Sequence, residues 1–412
     1  MDNPRPRPIV RRMESDLIIT GGGLNGPALA LAAARHGLSS IVIDSLPRDT
    51  RADPAFDGRS YALAHASHRM LDRLGLWDGL PNQPMLEIKV SDGRVGEAGA
   101  FLGLHFDSAE IEEGPMGFMV EDRHIRRALL DAMEAEPKIT HRAGETVIAQ
   151  ETGPAFATVT LATGEELTGR LLVGADGRSS GTAARARIKR TGWRYGQTAL
   201  VCAIAHERPH NGVAHQLFLP PGPLAILPLT GNRSSIVWSE TDAQARAINA
   251  LSDDDYLTVL RPRFGDFLGD ISLAGARYTY ALGLSLANAF VADRLALVGD
   301  AAHGLHPIAG QGLNAGLRDV AALAHVIGHA ARRGEDIGAP GVLERYQGWR
   351  RFDTAALAAA TDLFNRLFSN DSAILRAGRD LGMALVGALP SARRSFIREA
   401  AGLTGDLPEL MR

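Results

Sequence analysis

The apolar positions of this chain change period several times, and each change marks an element. Asp16 to Thr20 reads DLIIT, a run of consecutive apolar residues of the kind that forms a strand buried on both faces. A glycine cluster follows, then an alanine- and leucine-rich stretch from Pro27 to His36 with helix-forming composition, closed by Gly37. SSIVID then predicts a second buried strand ending at Asp44, so residues 16–44 form a strand–helix–strand unit with parallel strands. Further on, TALVCAIAH, HQLFLP, LAILPL and SSIVWSE, punctuated by Pro-Pro-Gly and Gly-Asn turns, predict an antiparallel sheet. VEDRHIRRALLDAM predicts a helix, RLLVGAD and RLALVGD two more buried strands, and Asn314 to His329 another helix.

This alternation predicts an α/β fold with a discontinuous, doubly wound Rossmann-like body from residues 14–85, 120–194 and 285–342. An inserted antiparallel β-sheet, the substrate domain, takes residues 86–119 and 195–284, and residues 343–412 form C-terminal helices. Leu363, Phe364, Leu367 and Phe368 share one helical face, read as core packing. Residues 1–13 alternate proline with arginine and read as a flexible arm.

Composition narrows the partners. With 45% hydrophobic and 22% charged residues the chain is an ordinary folded protein, and 44 basic against 47 acidic residues leave no positive field to draw in nucleic acid. Lys89, Lys138 and Lys189 are the only lysines, which disfavours Schiff-base chemistry. The lone Cys202 fits a reducing compartment such as the cytoplasm, and no apolar run is long enough to cross a bilayer, so any membrane contact is peripheral.

The chemistry begins at Gly21, Gly23 and Gly26, which fit G-x-G-x-x-G where a strand hands over to a helix, with Leu24 and Asn25 inside the turn. The first glycine permits the turn, the second lets a pyrophosphate approach, and the third lets helix and strand pack closely. The helix N-terminus then offers unpaired N–H groups to the phosphates. Asp44, 18 residues after Gly26, is placed to accept hydrogen bonds from the ribose hydroxyls of an adenosine. Its charge disfavours a 2′-phosphate, so the nucleotide is FAD or NAD rather than NADP; the fingerprint serves NAD dehydrogenases and flavoproteins alike. Two later strands each end in an aspartate: LLVGADG at Asp176 and Gly177, and ALVGDAAH at Asp300, followed by Pro307-Ile308-Ala309-Gly310-Gln311-Gly312-Leu313-Asn314. An NAD fold has no need of these. Asp300 is placed for ribityl hydroxyls, and the amides of Gly312, Leu313 and Asn314 open a helix whose positive end suits a flavin's N1/O2 edge, which becomes anionic on reduction.

Together these three motifs resemble the class A FAD-dependent aromatic hydroxylases, typified by p-hydroxybenzoate hydroxylase. HPIAGQGLNAGLRDV and the C-terminal LERYQGWRRFD and TDLFNRLFS are more similar still to the ubiquinone-biosynthesis hydroxylases of the UbiH/UbiF type. The resemblance covers nearly the whole chain after Ser15. It implies that Asp44 holds the ribose, Arg59 lies near the FAD pyrophosphate, Asp176 and Gly177 line the pyrophosphate and reductant side, and Asp300 lies along the ribityl chain. Two positions depart from the family: Asp122 stands for an asparagine or glutamine near the flavin, and Ala183 for an arginine, with Arg185 and Arg187 nearby.

The activity implied is hydroxylation of a polyprenylated phenol in ubiquinone biosynthesis, in which NAD(P)H reduces FAD, O2 adds at flavin C4a, and the distal oxygen attacks the ring. LAILPL, with Leu227 and Pro228, and Pro307 on the flavin side are the expected wall over that ring. Alternatives are the same chemistry on a small soluble aromatic, or a non-catalytic prenyl-binding escort on the same fold. The expected setting is cytoplasmic, peripheral to the inner face of the membrane or within a biosynthetic complex. His303 reads as a turn-holding residue rather than a base, His206, His210 and His215 as loop or sheet residues, and no metal is assigned.

Overall fold

The computed structural model describes residues 13–92, 104–110, 114–263, 265–305, 310–368 and 390–412. Ser15–Thr20 lies inside an eight-stranded sheet, pairing in parallel with Glu166–Gly174 on one side and Ser40–Asp44 on the other. Leu17, Ile18 and Ile19 are completely buried, which is why DLIIT shows no alternation. Leu295–Leu297 and Ile139–Ala143 extend the parallel order at either side. The helices Asn25–Ala34 and Gln311–Arg332 pack against each other, and both contribute to the core of this sheet.

Among the described residues the inserted sheet has nine strands, with Arg190–His206 paired between Arg233–Thr241 and Tyr278–Ala287. Its pairing is antiparallel apart from one junction, where Val213–Leu219 runs parallel to Glu87–Asp92. The expectation of a purely antiparallel sheet is corrected there. The two strands come from distant parts of the chain, so no tight turn dictates their direction. Alternation splits LAILPL between two faces. Leu224 and Ile226 join Trp238, Cys202 and Tyr256 beneath the helices Asp242–Asn249 and Asp253–Leu260. Leu227 and Leu229 turn the other way, into a cluster with Met85, Met119 and Ala62. Those partners belong to a third sheet, Ser60–Ala64, Gly117–Glu121 and Gln83–Met85, which the sequence pattern does not announce.

The C-terminal helix Pro340–Phe368 corrects a second expectation. Its buried stripe is Val342, Tyr346, Arg350, Thr354, Ala358 and Thr361, and Leu363, two residues further round, is 64% exposed. The side chains of Phe364, Leu367 and Phe368 lie outside the described residues. The chain then returns to the first body: Leu410 and Met411, in the turn Glu409–Met411, are buried in the same core as Leu17.

His215 makes stability depend on acid. Burial, assisted by Lys89, pushes its pKa down from 6.5 to about 4. The unfolded chain takes up a proton near the ordinary value while the folded chain refuses it, so stability falls as pH is lowered from about 6.5 to about 4. The His215→Gln variant is expected to flatten urea-denaturation stability across that window by on the order of 3 kcal/mol. An unchanged slope would refute this.

Candidate functional site

The glycine contacts show how three distant stretches meet. A Cβ on Gly26 would stand 2.0 Å from the Gly21 carbonyl oxygen, so only glycine lets the first helix start this close to its strand. Gly21, at φ +108°, abuts the backbone of Ala175 and Asp176, joining the first motif to the second. Asn25 lies against Gly299 and Gly316, joining it to the third. Gly23, Gly177 and Gly312 face open space instead: among the described residues, local backbone aside, no atom lies within 4 Å of where a Cβ would be. Close backbone approaches beside open space are what a pyrophosphate-bearing ligand requires.

Asp44 sits beneath this loop, 2% exposed, where a Cβ on Gly22 would strike its carboxylate. Arg51 donates to both its oxygens, Nε to Oδ2 at 2.6 Å and Nη2 to Oδ1 at 3.1 Å. The Arg51 carbonyl in turn accepts from Arg126 Nη1 at 2.7 Å, and Arg126 Nε donates to Asp122 Oδ2 at 2.7 Å. Asp122 also accepts from the Tyr61 hydroxyl at 2.9 Å, with Arg59 Nη2 at 3.2 Å. Tyr61, Arg126 and Arg59 all present donors to this carboxylate, which suits an acceptor-only group. Against the opposing effect of burial, Arg59 holds Asp57 below the ordinary carboxyl range. Burial and then Asp122 push the Tyr61 hydroxyl far upward, so it stays protonated and donating.

Asp176 uses its side chain locally: it accepts from the Thr182 amide and hydroxyl, both at 2.9 Å, and from Ser180 at the head of the short helix Gly181–Arg185. Arg185 is turned to Gln150 and the Val147 carbonyl. The cations beside the third motif are Arg178, 3.3 Å from Asp300 Oδ2, and Arg190, which donates to the Asp300 and Ala301 carbonyls. Arg178 follows Gly177 directly, so its place was accessible from the sequence; that of Arg190 was not.

His303 is completely buried, and its Nε2 lies 2.6 Å from Asp319 Oδ2. The same oxygen accepts from the Gly299 amide at 2.9 Å, and Oδ1 accepts from Arg350 Nε at 2.8 Å. Burial works against the charge of Asp319, but His303 and Arg350 outweigh it and hold the carboxyl below its ordinary range. This triad fixes the turn that presents Asp300.

Gly310, at φ +64°, caps the helix Gln311–Arg332 and touches Ala62. The Asn314 side chain is committed to protein partners: Oδ1 accepts from Ala64 N and Ser67 Oγ, and Nδ2 donates to the carbonyls of Ala62 and Gly310. Its backbone N–H, four residues after the Gly310 cap, is turned into the helix, so the N–H groups left open at this helix start belong to residues before Asn314. Leu24 and Leu313 pack against the main core. Leu227 is half-buried and Pro228 buried on the strand facing the third sheet, while His306 and Pro307 lie outside the described residues.

A Rossmann-like sheet with a glycine-loop helix, two aspartate-ended strands and an inserted sheet defines a flavin-dependent monooxygenase fold of the p-hydroxybenzoate hydroxylase kind. The chain belongs to the FAD binding domain family, whose model matches residues 14–360. It is 45% identical over 403 residues to the ubiquinone hydroxylase UbiL of Rhodospirillum rubrum, covering 97% of this chain and 92% of that protein. It is 34% identical to the 3-demethoxyubiquinol 3-hydroxylase of Escherichia coli, covering 94% of this chain and 99% of the relative. The fold matches that of p-nitrophenol 4-monooxygenase PnpA from Pseudomonas putida DLL-E4, with a TM-score of 0.77 over 95% of this chain and 98% of that one, at 18% identity.

Proposed function

We infer that this protein is an FAD-dependent monooxygenase that hydroxylates an aromatic ring in ubiquinone biosynthesis. The observation that carries this reading is the meeting of the glycine loop, the Asp176 strand end and the Asp300 turn, with Gly23, Gly177 and Gly312 left open to a ligand. Similarity along nearly the whole chain to two hydroxylases of ubiquinone or its precursors supports the substrate class.

The residues fit FAD. Asp44 would accept from the adenosine ribose, with Arg51 ceding one of its hydrogen bonds, and the amides around Gly23 and Gly177 would face the pyrophosphate. Asp300, 40% exposed at its side chain, would accept from the ribityl hydroxyls while Arg178 balances its charge. The amides of Gly312 and Leu313, in the first turn of the helix, would stabilise negative charge on the flavin ring. When bound, FAD takes hydride from NAD(P)H and, once reduced, activates O2. The apolar cluster of Leu227, Met119 and Met85 excludes water from the ring to be hydroxylated.

We read the substrate as carrying an isoprenoid tail and the enzyme as working at a membrane surface. Among the described residues no helix is long and apolar enough to cross a bilayer. Phe352 and Leu363 are 78% and 64% exposed, eleven residues apart and so on one face of the helix Pro340–Phe368. Trp193, itself 42% exposed, donates to Asp362, the residue before Leu363. That apolar face suits docking to lipid.

The test is substrate-stimulated NAD(P)H oxidation with phenols bearing or lacking an isoprenoid chain, with the products analysed by mass spectrometry. Ring hydroxylation several-fold better coupled with the tail is expected. Equal coupling without it would overturn the lipid assignment, and a chain that cannot be loaded with FAD would overturn the enzyme.

A further inference from the structure

On the opposite end of the long helix from its flavin-facing start stands a second constellation. His325 and His329 are four residues apart on Gln311–Arg332, so they share a face, and their rings stack with centroids 4.1 Å apart. Glu409 reaches them from the C-terminal turn. Its Oε2 is 3.8 Å from His325 Nδ1 and 3.8 Å from His329 Nε2. We propose that His325, His329 and Glu409 form a site for a divalent late transition metal, zinc being the closest match, which clips the C-terminal turn to the long helix.

The spacing is the first argument. Both nitrogens face one carboxylate oxygen from beyond hydrogen-bond reach, and the three ligand atoms lie within 4.8 Å of one another. Ligand atoms about 2.1 Å from a tetrahedral zinc stand about 3.4 Å apart, so modest side-chain rotations close the set around an ion. The second argument is an unmet valence: His325 Nδ1 is buried with no hydrogen-bond partner. Third, there is room for a completing water. A cavity of about 230 Å³ opens at His325 and Glu409. His36, on its wall, is engaged through Nδ1 with Arg332 Nη1 at 2.9 Å, which leaves a water as the fourth ligand.

Charge sets the selectivity. Arg35, Arg73 and Arg332 line the same cavity and oppose any dication held by electrostatics alone. Magnesium and calcium, which need several oxygen ligands, are therefore excluded, whereas zinc, nickel and copper gain from two imidazoles. The same arginines make an anion such as phosphate the rival occupant. His325 lies 14 residues beyond Gln311, about 21 Å along the helix axis, so the ion has no part in flavin chemistry. Its effect is structural: bound Glu409 holds Leu410 and Met411 in the core, and stability rises with metal concentration by mass action.

The test uses the full-length, FAD-loaded protein stripped of metal, titrated with zinc chloride and, separately, with inorganic phosphate by calorimetry. One zinc per chain is expected, with a rise of several degrees in Tm at saturation. His325→Ala, His329→Gln and Glu409→Gln are each expected to weaken zinc at least tenfold with flavin content retained, and His105→Ala to leave it unchanged. If one of the three misfolds, as its flavin content reports, the other two decide the question. Absence of saturable zinc binding, zinc binding indifferent to these variants, or binding of phosphate in place of zinc overturns the proposal.

Discussion

The Asp319→Ala variant is expected to lose about 3–5 kcal/mol of folding stability, the usual cost of stripping one partner from a buried charge network. Asp319 has no solvent exposure and accepts from the Gly299 amide, His303 and Arg350 at once. Its removal strands Arg350, 3% exposed at its side chain, with Asp353 alone. The Gly299–Ala301 turn loses its anchor as well, so weaker flavin retention accompanies the loss. Because Asp319 is held below the ordinary carboxyl range, its contribution is present above that range and fades as pH falls through the lowered folded value. Asp353→Ala, at a 33% exposed partner of Arg350, is expected to cost about 1 kcal/mol or less. Urea denaturation of the three proteins checks this; equal midpoints for wild type and Asp319→Ala would refute it.

The second large effect falls on the flavin itself. Gly26→Val places a Cβ where the Gly21 carbonyl oxygen already lies, 2.0 Å away, so the helix must withdraw and the cradle opens. The purified variant is expected to carry FAD at about a tenth of the wild-type ratio or less, a loss of roughly 1.4 kcal/mol or more in affinity. Gly23→Ala provides the contrast. Among the described residues, its chain neighbours aside, nothing lies within 4 Å of its added methyl, so the fold stays intact while the space a pyrophosphate needs is filled. Flavin absorbance against protein content, alongside urea midpoints, separates the two: Gly26→Val lowers both, and Gly23→Ala lowers flavin alone. Normal flavin content in Gly26→Val would remove the glycine loop from the site.

What the sequence made legible follows from how each feature is encoded. Strands buried on both faces, such as DLIIT and RLLVG, write their state as uninterrupted apolar runs, and the glycine fingerprint writes its turn in local spacing. Features built from distant residues leave weaker marks. The third sheet draws three short strands from residues 60–64, 83–85 and 117–121, each too brief to announce itself. The face of the last long helix was read from Leu363, but Arg350, Thr354 and Thr361, polar yet buried, carry its inner stripe. Charge on a buried face hides a helix from a hydrophobicity reading. Arg126, four residues after Asp122, was within reach of simple helical spacing, whereas the pairing of Arg51 with Asp44 depends on a short helix with no buried residue to betray it.

One consequence concerns synthesis. Leu17 and Met411, far apart along the chain, occupy a single core, and strands of the inserted sheet are translated between them. The nucleotide-binding body therefore completes its core only after the segment through Met411 has left the ribosome. The nascent chain waits with its N-terminal strands exposed, which makes the interval before Met411 emerges the period of greatest chaperone demand.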